Sequence, residues 1–219
     1  MKTIVVKGVG KAKTRPDQVV LNFSLESRHP HYERAMMEAS VKIRELTDSI
    51  IALGFEKEDV KTLDFRVSTE YESKKDSQGN YYRVFRGYVV RHSLKFHFDF
   101  EMEMLSKVLS AVGSLPSPPE MSLGFTVKDP DSVKEELLIS AAENARKKAV
   151  VLCRASGVTL GALQKIDYNW AELSFYSHTE YDLSDACMEA VEKSAVMDMD
   201  IEPEEISSSD TATFVWEIL

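Results

Sequence analysis

Cysteine is scarce in this chain: Cys153 and Cys187 are the two in 219 residues, far apart and outside any metal-ligand spacing. A disulfide framework or a zinc knuckle is therefore not expected, and both thiols are read as reduced and structural. Long apolar runs are also missing. No stretch approaches the roughly 20 apolar residues of a membrane span, and MKTIVVKGVGKAKTRPD at the amino terminus has neither the length nor the small-residue site of a signal peptide. A soluble, cytoplasmic protein without a membrane partner is expected, or an exported one where a leader has been removed. Positive charge is short as well. The net charge of −9 argues against a sequence-independent grip on nucleic acid. Glycine is too thin for a nucleotide loop: Gly8-Val9-Gly10 sits in a lysine-rich strand pattern with no helix after it, and reads as a tight or bulged strand. Neither HExxH nor a Ser, His and Asp constellation is present to anchor a hydrolase.

What is present is a core. Apolar residues make up 43% of the chain, enough for one large domain or two compact lobes. The acidity is local: from Asn169 to Asp210 twelve Asp or Glu face one Lys, a net −11 that leaves the rest of the chain at about +2. Residues 169–200 are expected to be an acidic insertion, partly flexible.

The clearest element is Asp129 to Gly157. Asp129 suits an N-cap, Pro130 the first helical position and Gly157 the end. Val133, Leu137, Ala141, Ala145, Ala149 and Leu152 recur at helical spacing, widened by Leu138 and Ala142, so an alanine-lined seam is expected to receive the strands on either side. Thr3 to Lys13 and Val19 to Glu26 alternate as two strands, expected to pair as an opening hairpin with Arg15-Pro16-Asp17 between them, where Asp17 bonds nearby amides. Ala35, Ala39, Ile43, Leu46, Ile50 and Leu53 then define a helix closed by Gly54. Val60 to Tyr71 and Tyr88 to Phe100 alternate about a polar turn with Gly79-Asn80 at its tip. A short helix (Glu101 to Gly113), strands at Met121 to Val127 and Leu160 to Tyr168, and a last strand at Thr211 to Leu219 complete the chain. The order ββαββαβαβ…β predicts an α+β fold, mostly antiparallel sheets packed on long amphipathic helices. Residues 1–219 are read as one domain, with two lobes meeting near residue 100.

Four stretches together, VKGVGKAKTRPD (Val6 to Asp17), LGFEKEDVKT (Leu53 to Thr62), GFTVKDP (Gly124 to Pro130) and AENARKKAVVLCRASGVTLGALQKI (Ala142 to Ile166), resemble the SIMPL-domain family in order and spacing. That family includes bacterial periplasmic immunogenic and oxidative-stress-defence proteins. The resemblance covers about residues 4 to 168 and 201 to 219. It implies an α+β fold and raises the expectation of homo-oligomers, and it carries over no catalytic residue.

Among candidate sites, Arg83, Arg86, Tyr88, Arg91 and Lys95, interleaved with Tyr81, Tyr82 and Phe85, form a basic, aromatic hairpin. Such a pattern can stack on single-stranded nucleic acid. The simpler reading, adopted here, is a solvated edge that pairs with acidic neighbours of the same or another subunit, and hence a protein-contact surface. His29 and His31 flank a proline with no third ligand nearby, so no metal is expected. His92 falls on an apolar strand face and His97 on a polar one. The acidic segment lacks the glycine and spacing of a calcium loop. Taken together, a non-enzymatic, homo-oligomeric scaffold or protein-binding module without cofactor is expected. The alternative is an enzyme whose inter-lobe acid/base site borrows carboxylates of the acidic segment, with His178 as acid or base.

Overall fold

A computed structural model describes residues 2–168, 173–183 and 201–219. Its elements are β1 (Thr3–Thr14), β2 (Gln18–His29), α1 (Tyr32–Ile51), a single 3₁₀ turn (Lys57–Asp59), β3 (Val60–Lys75), β4 (Tyr81–Asp99), α2 (Met102–Gly113), β5 (Glu120–Thr126), α3 (Pro130–Ala155), β6 (Leu160–Asp167), β7 (Tyr181–Leu183) and β8 (Ile206–Ile218). The fold is α+β with antiparallel sheets, as the periodicities predict. Beyond the expected elements it has the 3₁₀ turn and the short β7, which pairs with β5 inside the acidic segment. Cys187 and residues 169–172 and 184–200 of the expected acidic insertion lie outside the described residues.

The chain divides into two compact units, one of Met1–Asp17, Thr126–His178 and Pro203–Leu219, the other of Gln18–Phe125 and Thr179–Glu202. Phe100 lies inside the second. In the first unit the strand order is β1-β8-β6, with α3 packed on the sheet. Asp129 caps α3 by accepting hydrogen bonds from the Asp131 and Ser132 amides, Pro130 begins it, and Gly157 at φ 69° lets the chain leave. The seam is narrower than expected. Val133, Leu137, Ala141, Ala145, Ala149 and Cys153 are buried, whereas Leu152 is half in solvent and Leu138 also faces out. The physical reason is the strict four-residue step: continuing it from Ala149 selects Cys153, and three- and four-residue steps diverge by about 100° around a helix axis.

The receiving strands also differ from the expected pair. The seam packs mainly on β1 and β8, the first and last strands, rather than on the flanking β5 and β6. Val6, Ala145, Ala149, Ala212, Phe214 and Trp216 make one cluster, and Ala12, Val127, Val133, Leu137, Phe175 and Ile206 another. Phe214 and Trp216 stack at 5.5 Å.

The expected opening hairpin does not form. β1 pairs with β8 from Thr3↔Glu217 to Thr14↔Ile206, while β2 pairs with β4 in the other sheet. Arg15-Pro16-Asp17 is a crossing between sheets. Asp17 accordingly reaches far in sequence: its amide donates to the Thr126 carbonyl (3.1 Å) and its Oδ1 accepts from the Lys128 amide (2.7 Å). It fastens the residue just before β2 to the exit of β5, as far as Lys128, 111 residues away.

Gly8 and Gly10 are explained by α3. A Cβ on Gly8 would overlap the Ala141 carbonyl oxygen and stand 2.9 Å from the Ala145 Cβ, and one on Gly10 would overlap the Leu137 carbonyl oxygen. The strand and the helix thus touch backbone to backbone. Three polar side chains at four-residue steps on α3 then satisfy the outer edge of β1. Ser140 Oγ accepts from the Lys11 amide (3.2 Å), Asn144 Oδ1 accepts from the Val9 amide (3.1 Å) and Lys148 Nζ donates to the Lys7 carbonyl (3.1 Å). From Lys7 to Lys11 this edge is closed to further strand pairing.

In the second unit the order is β3-β4-β2-β5-β7. Val19, Leu21, Phe23 and Leu25 of β2 and Leu94, Phe96 and Phe98 of β4 face Leu46 and Ile50 of α1 and Leu105, Val108, Leu109 and Val112 of α2. Near the start of α1, Ala35 and Ala39 pack close to Val90. β3 stands at the sheet's edge, and its residues are mostly exposed.

Candidate protein-contact surface

The surface is built on β3 and β4, which pair from Val60↔Phe96 to Lys75↔Tyr81. Their connection is made by Asp76. Its Oδ1 accepts from the Gln78 and Asn80 amides (2.8 Å each), and its amide donates to the Asn80 carbonyl (2.9 Å). The Asn80 amide bond, followed by the others to the same carboxylate, holds Asp76 below its ordinary value. One irregularity matters: Glu70 opposes Gly87 and Tyr71 opposes Phe85, so Arg86 is an extra residue on β4. Gly87 sits where a Cβ would lie 2.6 Å from the His29 carbonyl oxygen.

The five predicted contact residues do not form one patch. Tyr88 belongs to an aromatic row in which Tyr32 meets it edge-on at 5.5 Å, Phe85 at 5.4 Å, and Tyr71 meets Phe85 at 5.7 Å. Arg83 ends the row, its guanidinium 4.6 Å from the Tyr71 ring centre. Arg91, three residues from Tyr88, projects to the other face of the strand. There its Nε donates to Glu26 (2.8 Å), which also accepts from Arg28, and Arg28 reaches Glu70 (2.8 Å) across the bare position of Gly87. Arg86 pairs with Glu72 at 2.7 Å. Lys95 lies further along β4, opposite Asn22 on one side and Lys61 on the other.

Burial raises the Glu26 carboxyl, but hydrogen bonds and charge from Arg28 and Arg91 outweigh it and hold the group below its ordinary value. These are largely exposed pairs, each worth about 0–1 kcal/mol. Their effect is to balance the basic residues within the chain. A shallow groove of about 520 Å³ beside Arg28, Glu70, Glu72 and Arg86 is lined by charges already matched to one another. Glu26 and Glu70 fall within the strands the alternation predicts and Glu72 just past one; what sequence alone does not supply is the register that sets Glu26 opposite Arg91.

The histidines separate by environment. The His31 amide donates to His29 Nδ1 (3.0 Å), which takes one ring nitrogen of the pair away from a metal. Among the described residues, no group of three or more His, Cys, Asp or Glu is arranged to hold a metal ion. His97 is exposed, on the polar face as expected, and His178 is exposed. His92 is buried, its Nε2 2.9 Å from Thr62 Oγ1, with Phe65 edge-on at 5.1 Å and no partner at Nδ1.

Burial pushes the His92 pKa below its ordinary 6.5, against a smaller upward pull from Asp64. The unfolded chain therefore takes up this proton first as pH falls, and the fold resists it. His92 costs nothing above pH ~6.5, and below that the fold loses stability until its own lower pKa is reached. Melting temperature should accordingly fall between pH 7.5 and 5.5, and His92→Leu should flatten that dependence. An equal fall in the variant would show that His92 is not its source.

The fold and surface define an α+β protein with one sheet edge closed by a helix and a β-hairpin that carries exposed aromatic rings and internally matched charges. The chain belongs to the SIMPL family, described as a protein of unknown function (DUF541), whose model matches residues 4–216. It is 26% identical over 163 residues to the 26 kDa periplasmic immunogenic protein of Brucella melitensis, and equally to that of Brucella abortus, over 74% of this chain. The matched stretch spans 65% of the length of these relatives, just under two thirds. Among the described residues, no helix is long and apolar enough to cross a membrane.

Proposed function

We infer that the protein is a non-enzymatic, homo-oligomeric scaffold or protein-binding module that works through its β3–β4 hairpin. The observation that supports this is where the exposed apolar side chains fall. Leu63, Phe65, Tyr71, Tyr81, Tyr82 and Phe85 are all between 44% and 72% exposed on this one hairpin. Other elements, α3 among them, expose aliphatic side chains as densely; what sets the hairpin apart is that five of these six are aromatic, the residue type enriched where proteins meet. Charge points the same way: Arg86 and Arg91 are matched by Glu72 and Glu26, so the hairpin offers a partner rings and backbone rather than an unbalanced positive field suited to nucleic acid. The relatives' name supports an exported alternative to the cytoplasmic expectation, and fractionation of cells making the full-length protein decides between them.

The test is association. Sedimentation of the full chain over a hundred-fold concentration range should give a mass above that of the 24.8 kDa chain, and Tyr81→Ser with Tyr82→Ser and Phe85→Ser should reduce it. A strictly monomeric chain at every concentration removes the homo-oligomeric part. An assembly indifferent to the triple variant removes the hairpin as its seat.

A further inference from the structure

The five-stranded sheet has β3 at one end, and no described strand pairs with its outer edge. Such an edge is a template for another strand, and charged residues on it normally act as a deterrent. On β3 the charges are ordered, and their order decides what the edge rejects and what it accepts. We propose that the outer edge of β3 pairs antiparallel with β3 of a second copy of this chain, about a two-fold axis at Thr69. This rests on the homo-oligomeric reading above and names the surface and the register.

The register follows from three observations. First, β3 carries its own irregularity between Thr62 and Asp64, and the second one, between Glu70 and Tyr71, is the extra Arg86 on β4. From Asp64 to Lys75 β3 is therefore an unbroken alternation whose middle lies between Thr69 and Glu70. Second, an antiparallel two-fold normal to a continuous sheet sets like faces side by side, so opposed residue numbers add to an even sum. Third, only one such register near the centre makes every opposed charge pair attractive. About Thr69, Asp64 opposes Lys74 of the copy and Arg66 opposes Glu72 of the copy, each pair occurring twice by symmetry. Shifting the axis to Ser68 puts Asp64 against Glu72, and shifting it to Glu70 puts Arg66 against Lys74.

The same register sets Val67 beside Tyr71 of the copy, on the face that carries the aromatic row. Within one chain Asp64, Arg66 and Lys74 are exposed and loosely held, whereas Glu72 is half-buried and is also bound by Arg86 at 2.7 Å. Arg66 and Asp64 stand 3.6 Å apart, as do Lys74 and Glu72. Exchange of those contacts for cross-strand ones asks little of the side chains. The other edge described above, β1, is sealed by Ser140, Asn144 and Lys148, so the contrast between the two edges is chemical as well as topological.

Charge exchange between two variants of the full chain tests the register. Arg66→Glu opposes two like pairs (residue 66 with Glu72) in its own homodimer, and so does Glu72→Arg with Arg66. Each alone should associate roughly ten-fold or more weakly than the unchanged chain, while an equimolar mixture of the two restores association. Asp64→Lys and Lys74→Asp make an independent pair with the same expected pattern, should loss of the Arg86–Glu72 contact perturb the first. Thr69→Cys, at the axis, should give a disulfide-linked dimer under oxidation beyond any formed by the unchanged chain. If the unchanged chain associates while the variants behave like it and Thr69→Cys does not cross-link, the β3 register is overturned and the homo-oligomeric reading stands. If the unchanged chain is monomeric throughout, both fall.

Discussion

Gly8→Val should destabilise the protein by about 3 kcal/mol, near the top of the range for overpacked substitutions, and lower its melting temperature by roughly 10 °C. The reason lies in what the added atoms would meet. At most crowded positions a neighbouring side chain changes rotamer and absorbs the intrusion. At Gly8 the obstacle is the Ala141 carbonyl oxygen, a backbone atom in the middle of α3, with the Ala145 Cβ 2.9 Å away as a second one. Relief requires α3 to move away from β1. That motion would pull Ser140, Asn144 and Lys148 off the strand edge and leave the Val9 and Lys11 amides short of their partners. Even Gly8→Ala should cost about 2 kcal/mol, and Ala145→Gly should not rescue it, since the carbonyl remains. Gly124→Ala is the control, because a Cβ there meets nothing within 4 Å. Chemical denaturation of the three single variants decides: a Gly8→Ala protein as stable as Gly124→Ala would contradict backbone contact between β1 and α3.

That contact shows why some of this fold was legible in the sequence and some was not. Periodicity and end signals are local, so α3 was readable from Asp129, Pro130 and Gly157, and β4 from the even-numbered run that ends in Phe96 and Phe98. Partner choice is not local. β1 and β2 are neighbours in the chain with the right alternation for a hairpin, yet β1 joins β8, more than 190 residues on, because the Gly8 and Gly10 face fits only an alanine-lined helix. The two glycines were visible, and so was the alanine stripe. Their complementarity is the signal that would have joined them. The same holds for the contact surface: the arginines stood out, whereas Glu26, Glu70 and Glu72 look like ordinary strand polar residues until the register sets them opposite.

Two of the four sheet ends carry the functional contrast. Both β1 and β3 end their sheets, and a free sheet edge must be covered, deterred or used. β1 is covered by side chains of its own helix. β3 is left with alternating charge and flanking aromatic rings, which deter misaligned strands while leaving one aligned approach attractive.

Phe96→Ala should give the largest loss of stability in the second unit, about 3–5 kcal/mol. Phe96 is fully buried near the C-terminal end of β4, beside Leu21 of β2 and Val60 of β3 in the ladder, with Phe55 edge-on at 4.9 Å and Phe98 stacked at 5.2 Å. Removing the ring forfeits its transfer free energy and opens a cavity. Strands on both sides and the helices above hold the walls of that cavity apart, so collapse recovers little. Phe96→Leu retains most of the volume and should cost nearer 1 kcal/mol. Phe65→Ala, the same truncation on exposed β3, should stay within about 1 kcal/mol in dilute solution. Measured at concentrations where the chain associates, however, Phe65→Ala should weaken assembly while Phe96→Leu leaves it intact, since one ring is half-exposed on the edge strand and the other lies in the core. Equal losses of stability from Phe65→Ala and Phe96→Ala would mean that β3 is not an edge strand at all.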